Sequence, residues 1–273
     1  MKTPAARSLP IFLLSFFIYC VSAGQTIVAC CDSLCHCQLV SDTLYDSPQN
    51  INLIYIPKTS LPDYRLEFAY KSDTLLGTSS FAEEYGALAA INGSFFDMDK
   101  GGNVSYFEIN DSVINSTRTP GVKWAVNDSI INAAIILQRD HTLTIEAAKP
   151  ELCYEHSDNE AFVMVSGPLL IKDSILKELP HMNFMDKRHP RTCIGITGES
   201  IIFITIDGRS EQAAGMNLPE LQEFLLSLGC LEAINLDGGG STTMWIKDQG
   251  IVNKPSDKTG ERPVANALLI LKK

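Results

Sequence analysis

Ile234-Asn235-Leu236-Asp237-Gly238-Gly239-Gly240-Ser241-Thr242-Thr243-Met244-Trp245 reads as the end of one apolar strand, a carboxylate, three glycines, three hydroxyls and the start of a second strand. Successive glycines let backbone N–H groups converge on a ligand, because no Cβ blocks the approach or the positive-φ conformations. A bare Gly-Gly-Gly is equally well read as a flexible turn between strands. Here Asp237 and the hydroxyls abut the glycines, and similar polar clusters end other apolar runs. That turns the reading toward a binding site.

Working outward, apolar runs at Leu231–Leu236 and Met244–Ile246 flank this turn. Further strand-like runs are Ile51–Ile56, Tyr64–Tyr70, Ala87–Ile91, Tyr106–Ile109, Ile131–Leu137, Leu143–Ile145, Phe162–Val165, Ile201–Ile206 and Val264–Leu271, separated by Asn, Asp, Gly and Pro. Ser80–Tyr85 is expected as a short helix capped by Ser80, with Glu83 closing a capping box. The best helix is Leu218–Leu228, with Asn217 as cap, Pro219 in the first turn and Gly229 at the end. Strands outnumber helices and rarely alternate with them. The expected fold is therefore α+β, a single domain with a mixed, mainly antiparallel sheet and a few packed helices.

The first 23 residues carry Lys2 and Arg7, an apolar run from Leu9 to Val21, and small residues at Val21-Ser22-Ala23. This is the pattern of a secretory signal peptide cut after Ala23, too short to stay as a membrane span. A second processing reading is the lipobox-like Ile27-Val28-Ala29-Cys30, which would make Cys30 a lipid anchor. The expected location is accordingly secreted or periplasmic, with an envelope lipoprotein as the alternative. Loss of Lys2 and Arg7 leaves 20 basic against 32 acidic residues. Such a balance argues against nucleic acid or an anionic membrane as partner, and an anionic substrate would need a local basic cluster.

Residues 24–79 combine Cys30, Cys31, Cys35, His36 and Cys37 with the first strands. Zinc is one reading, but the spacing matches no common zinc arrangement, and disulfides in an exported segment fit better. Cys153, Cys193 and Cys230 stand among apolar neighbours, as core residues or as one further bridge. Sequons begin at Asn92, Asn103, Asn110, Asn115 and Asn127.

Four polar clusters recur at strand ends. They are Asn92-Gly93-Ser94 with Asp97, Arg188-His189-Pro190-Arg191-Thr192, Asp207-Gly208-Arg209, and Asp237 with its glycines. Guanidinium groups offer paired donors to phosphate or carboxylate, so the second cluster is a natural anion anchor, although a solvated basic loop fits that fragment alone as well. There is no G-x-S-x-G elbow, H-E-x-x-H, P-loop or dinucleotide fingerprint. Of the mature chain's histidines only His189 lies inside a cluster, which disfavours a serine hydrolase. Glycoside cleavage asks instead for carboxylates, and those stand at the glycine-rich turns.

Taken in order, Ile91–Asp97, Ser166–Leu170, Arg188–Thr192, Asp207–Arg209, Gly215–Leu221, Asn235–Thr242, Asn253–Asp257 and Gly260–Ala267 resemble the phosphodiester glycosidase family over roughly residues 85 to 271. Three positions depart from it. Ser94 stands where the family usually has a glycine, Ala213 where many members have a serine, and Asn217 where threonine is usual. The resemblance implies a catalytic region over 80–273 that hydrolyses a sugar-1-phosphodiester, with a glycan of that class as partner. Asp237 would activate water or stabilise an oxocarbenium-like carbon, with Asp207 second. Arg191 and Arg209, with the Gly238, Gly239 and Gly240 amides, would stabilise the departing phosphate, Thr192, Ser241, Thr242 and Arg262 would bind substrate or phosphate, and Asn92 and Asn266 would orient sugar hydroxyls or the phosphate. No metal or cofactor is assigned. A non-catalytic carbohydrate or envelope-polymer binding protein using the same pocket is the alternative.

Overall fold

The structure, a computed structural model, describes residues 33–117 and 130–273. The signal segment, Cys30, Cys31 and the Asn127 sequon lie outside the described residues. In chain order the elements begin with β1 Cys35–Ser41, β2 Gln49–Pro57, β3 Tyr64–Tyr70, α1 Thr78–Tyr85, β4 Ala89–Asn92, β5 Phe107–Ile109 and β6 Ser112–Asn115. They continue with β7 Ala133–Gln138, β8 Leu143–Ala147, α2 Glu151–Glu155, β9 Glu160–Ser166, β10 Leu169–Lys172, β11 Ile175–Leu176 and α3 Asn183–Asp186. The remainder are β12 Arg191–Ile196, β13 Ser200–Ile206, α4 Leu218–Ser227, β14 Glu232–Asn235, β15 Met244–Ile246, β16 Gly250–Ile251 and β17 Asn266–Lys272.

Three sheets result: β1-β2-β13-β12-β14-β10-β11, β16-β15-β4-β17-β3 and β6-β5-β9-β7-β8. Every strand pairing among the described residues is antiparallel. The α+β expectation holds. Residues before and after position 80 share the same sheets: β2 lies between β1 and β13, and β3 pairs with β17.

The apolar runs are continuous because the strands are buried on both faces. On β13, Ile201 and Phe203 enter a core shared by all three sheets, with Ile54, Leu268, Ile135 and Met164 among its members. Ile202, Ile204 and Ile206 point the other way and pack with Leu218, Leu221 and Leu225 of α4. Helix α4 starts as its sequence dictates: the Asn217 side chain accepts from the Glu220 amide, and Glu220 returns the bond to complete the capping box.

Helix α1 departs from expectation. It begins at Thr78 behind Gly77, and Ser80 is not its cap. The Glu261 carboxylate does that work from far along the chain, accepting from the Ser79 amide at 2.8 Å and the Ser79 hydroxyl at 2.5 Å. A local pattern cannot show a cap supplied by tertiary contact. Cys193 and Cys230 are buried free thiols and Cys153 is an exposed one, so no further bridge joins them.

Candidate active site

The register of the sheets brings the polar clusters together. Arg191 at the start of β12 faces Ile206 at the end of β13, Cys193 faces Asn235, and Asn92 at the end of β4 faces Ala267 of β17. Each strand ends where its apolar run gives way to a carboxylate or glycine. The loops that follow are tied by backbone bonds. Asp237 N–H donates to Gly93 O at 3.1 Å, and Gly239 N–H donates to Pro190 O at 2.9 Å. A Cβ on Gly238 would sit 2.7 Å from that same Pro190 oxygen, which is why a side chain is excluded there.

Asn92 is the central tie. Its amide donates to Asp237 O at 2.7 Å, and its oxygen accepts from the Thr192 hydroxyl at 2.7 Å and the Thr243 amide at 3.1 Å. Asn266 plays a similar part, accepting from the Ser94 amide at 2.7 Å and donating to Asn103 Oδ1 at 2.5 Å. All of Asn92, Thr192, Ser94 and Asn266 are buried. These residues lie beneath the site and hold it together. They do not line it.

Asp207 and Arg191 are also placed below. Asp207 accepts from Asn50 at 2.6 Å, Asn253 at 3.3 Å and the Lys254 amide at 3.0 Å. Burial pushes its pKa up, against those hydrogen bonds. Arg191 is 1% exposed, and its guanidinium donates to the carbonyls of Met216, Phe184 and Lys187 at 2.8 to 3.0 Å. Burial lowers its pKa to about 9. Its fork is thus spent on backbone oxygens of the neighbouring loops.

What faces solvent is a cleft of about 350 Å³ lined by Phe95, Phe96, Asp97, Met98, Asp99, Asp237 and Arg262. Asp237 is the carboxylate at the glycine turn. Burial raises its pKa to about 6, while the Ser241 hydroxyl, the Gly238 amide and the charge of Arg262 pull it down. Asp97 differs: the Lys100 and Asp99 amides donate to its carboxylate at 3.0 and 2.9 Å and hold its pKa below the usual value. Two carboxylates with environments that push their pKa values apart are a recurrent acid/base arrangement.

Arginines flank the glycine turn. Arg262 presses on Gly240, where a Cβ would fall 2.0 Å from its Nη2, and is held bidentately by Asp257 at 2.8 and 3.0 Å. Arg209 stands over Gly239 on a left-handed backbone, φ 60°. Arg188 is paired with Glu220. Among the described residues, Arg209 therefore carries the one guanidinium of these four with neither a carboxylate partner nor a set of carbonyls. Two of the three glycine amides are occupied, Gly238 by the Asp237 carboxylate and Gly239 by Pro190. Ser241 and Thr242 are buried, Ser241 3.5 Å from Arg262 Nη1 and the Thr242 hydroxyl without a partner.

Sequence reading left Asp99, Met98 and the two phenylalanines out of the site, since nothing local distinguishes them from a turn. Asp97, Asp99, Gly102 and Glu108 have the spacing of a calcium loop. However, Glu108 is buried in β5 against the Tyr106 hydroxyl. No three acidic, His or Cys side chains gather for a metal among the described residues.

The sequence profile of phosphodiester glycosidases matches residues 85–271. The chain belongs to the phosphodiester glycosidase family. It is 28% identical over 194 residues to N-acetylglucosamine-1-phosphodiester alpha-N-acetylglucosaminidase of Bos taurus, covering 64% of this chain and 34% of that protein. It is 35% identical over 107 residues to the SPbeta prophage-derived uncharacterized protein YomE of Bacillus subtilis, 38% of this chain and 16% of the relative. The chain thus spans about a third or less of these relatives. The fold is shared with the zebrafish N-acetylglucosamine-1-phosphodiester alpha-N-acetylglucosaminidase catalytic domain, at TM-score 0.71 and 20% identity, over 90% of this chain and 85% of that one. The family match includes every loop that meets at the cleft.

Proposed function

We propose that the chain is an exported hydrolase that cleaves the bond between the anomeric carbon of a sugar and the phosphate of a sugar-1-phosphodiester. The carrying observation is Asp237, a carboxyl with pKa about 6 in a cleft at the glycine turn on which Arg209 lies. Phosphate is a good leaving group, so the work lies in stabilising the departing anion and the developing cation. Arg209 takes the phosphate. Asp237, ionised above about pH 6, takes a proton from the attacking water, and Asp97 supplies a fixed negative charge near the oxocarbenium-like carbon. Arg191 and Asp207, read from sequence as direct participants, act here as the frame under the turn.

Export is supported by the N-terminal signal pattern and by a disulfide at Cys35. The activity for which the bovine relative is named makes an α-N-acetylglucosamine-1-phosphodiester the first substrate to try. Purified mature chain should release the sugar, with kcat/KM rising through about pH 6, and Asp237→Asn should release none while still binding. A parent that binds sugar-1-phosphodiesters and cleaves none would leave a carbohydrate-binding protein in place of the enzyme.

A further inference from the structure

We infer that His189 is a positioning residue, a neutral acceptor that aims the Arg209 guanidinium across the glycine turn. The inference rests on the reading of Arg209 as the phosphate anchor. Arg209 Nη2 lies 3.5 Å from His189 Nδ1, and the guanidinium passes over Gly239, where a Cβ would fall 3.0 Å from the same nitrogen. Its backbone is left-handed. Three features therefore converge on one long side chain that is otherwise exposed and unpaired.

His189 itself is held firmly. Its N–H donates to Met216 O at 3.2 Å, and the Met216 N–H returns to His189 O at 3.1 Å. Pro190 follows, and Gly215 packs so closely that a Cβ there would lie 2.5 Å from the His189 oxygen. Burial, helped by the charges of Arg191, Arg209 and Lys187, holds the ring below its ordinary pKa. The Asn183 backbone pulls the pKa the other way, and Nδ1 is the ring nitrogen that lies against Arg209.

The choice of acceptor has a chemical consequence. A carboxylate in the same place would pair with Arg209 and compete with a phosphate for its charge, as Asp257 does for Arg262 and Glu220 for Arg188. A neutral imidazole fixes the guanidinium's direction and leaves its full charge for the ligand.

The test is a double-mutant cycle read by steady-state kinetics, with ring nitrogen NMR beside it. His189→Leu should lower kcat/KM for the phosphodiester about tenfold, with part of the loss in kcat, because a mis-aimed Arg209 no longer steadies the departing phosphate. His189→Asn, whose Oδ1 can occupy the Nδ1 position, should restore most of the loss. In an Arg209→Ala background His189→Leu should add nothing. In the parent, NMR should show the Nε2–H tautomer, and Arg209→Ala should raise the His189 pKa. Additive effects, or kcat/KM unchanged in His189→Leu, would overturn the positioning role. A parent that hydrolyses nothing would sink the proposed reaction, whereas an NMR signal of His189 indifferent to Arg209→Ala would sink this inference alone.

Discussion

Asp237→Asn should cost the protein its activity and return stability. Burial raises the Asp237 pKa from 3.8 to about 6, so the folded chain binds this proton more tightly than the unfolded chain does. The sign follows directly. Below about pH 4 the group is protonated in both states and imposes no penalty, and the penalty grows to its full size as pH rises through about 6. Two pKa units correspond to about 3 kcal/mol. The carboxylate is partly open to the cleft, and solvent trims this to roughly 1–2 kcal/mol. An asparagine can still accept from the Gly238 amide at the same position, so the substitution removes the charge and keeps the bond. Thermal melts of parent and variant at pH 7.5 should differ by about 2–6 °C in favour of the variant. At about pH 3, below the unfolded value, the two curves should coincide. A variant less stable than the parent at pH 7.5 would refute the reasoning, because Asp237 would then be an ion that the fold needs. Such an exchange of stability for function is common at active sites.

Other outcomes follow from the same geometry. Arg191→Lys should lower stability by about 2–4 kcal/mol in urea unfolding, since lysine cannot serve the three carbonyls that the guanidinium holds; unchanged stability with loss confined to phosphodiester substrates would instead restore it as the anion anchor. Gly240→Ala must displace Arg262, whose Nη2 lies 2.0 Å from the new methyl position, and should reduce kcat/KM at least tenfold while the chain still folds by circular dichroism. Glu261→Ala should cost about 1–2 kcal/mol by unfastening the start of α1, seen as faster hydrogen exchange at Ser79 and Phe81.

The cleft was partly legible because its chemistry is concentrated in short stretches. Asp237, Arg209 and the glycines stand where apolar runs end, and a carboxylate or guanidinium at such a point has no role in the core. Arg191 and Asp207 carry the same local signal, yet the structure spends both on hydrogen bonds below the cleft. Sequence has no means to separate an arginine that reaches solvent from one that satisfies carbonyls. Asp97 was visible only as a neighbour of Asn92-Gly93, and Met98, 62% exposed at the cleft, as nothing more than a turn residue. The cap on α1 was misread for the same cause, since Glu261 lies far from Ser79 in the chain.

Sequence by itself determined the fold class, the two-sided burial of runs such as Ile201–Ile206, the capped helix α4 and the set of polar clusters, because periodicity, capping and glycine spacing are local properties. Tertiary structure decided which cluster members face the cleft and which lie beneath it. That choice depends on strand register and on where each side chain's hydrogen bonds end, and both come from residues distant in the chain.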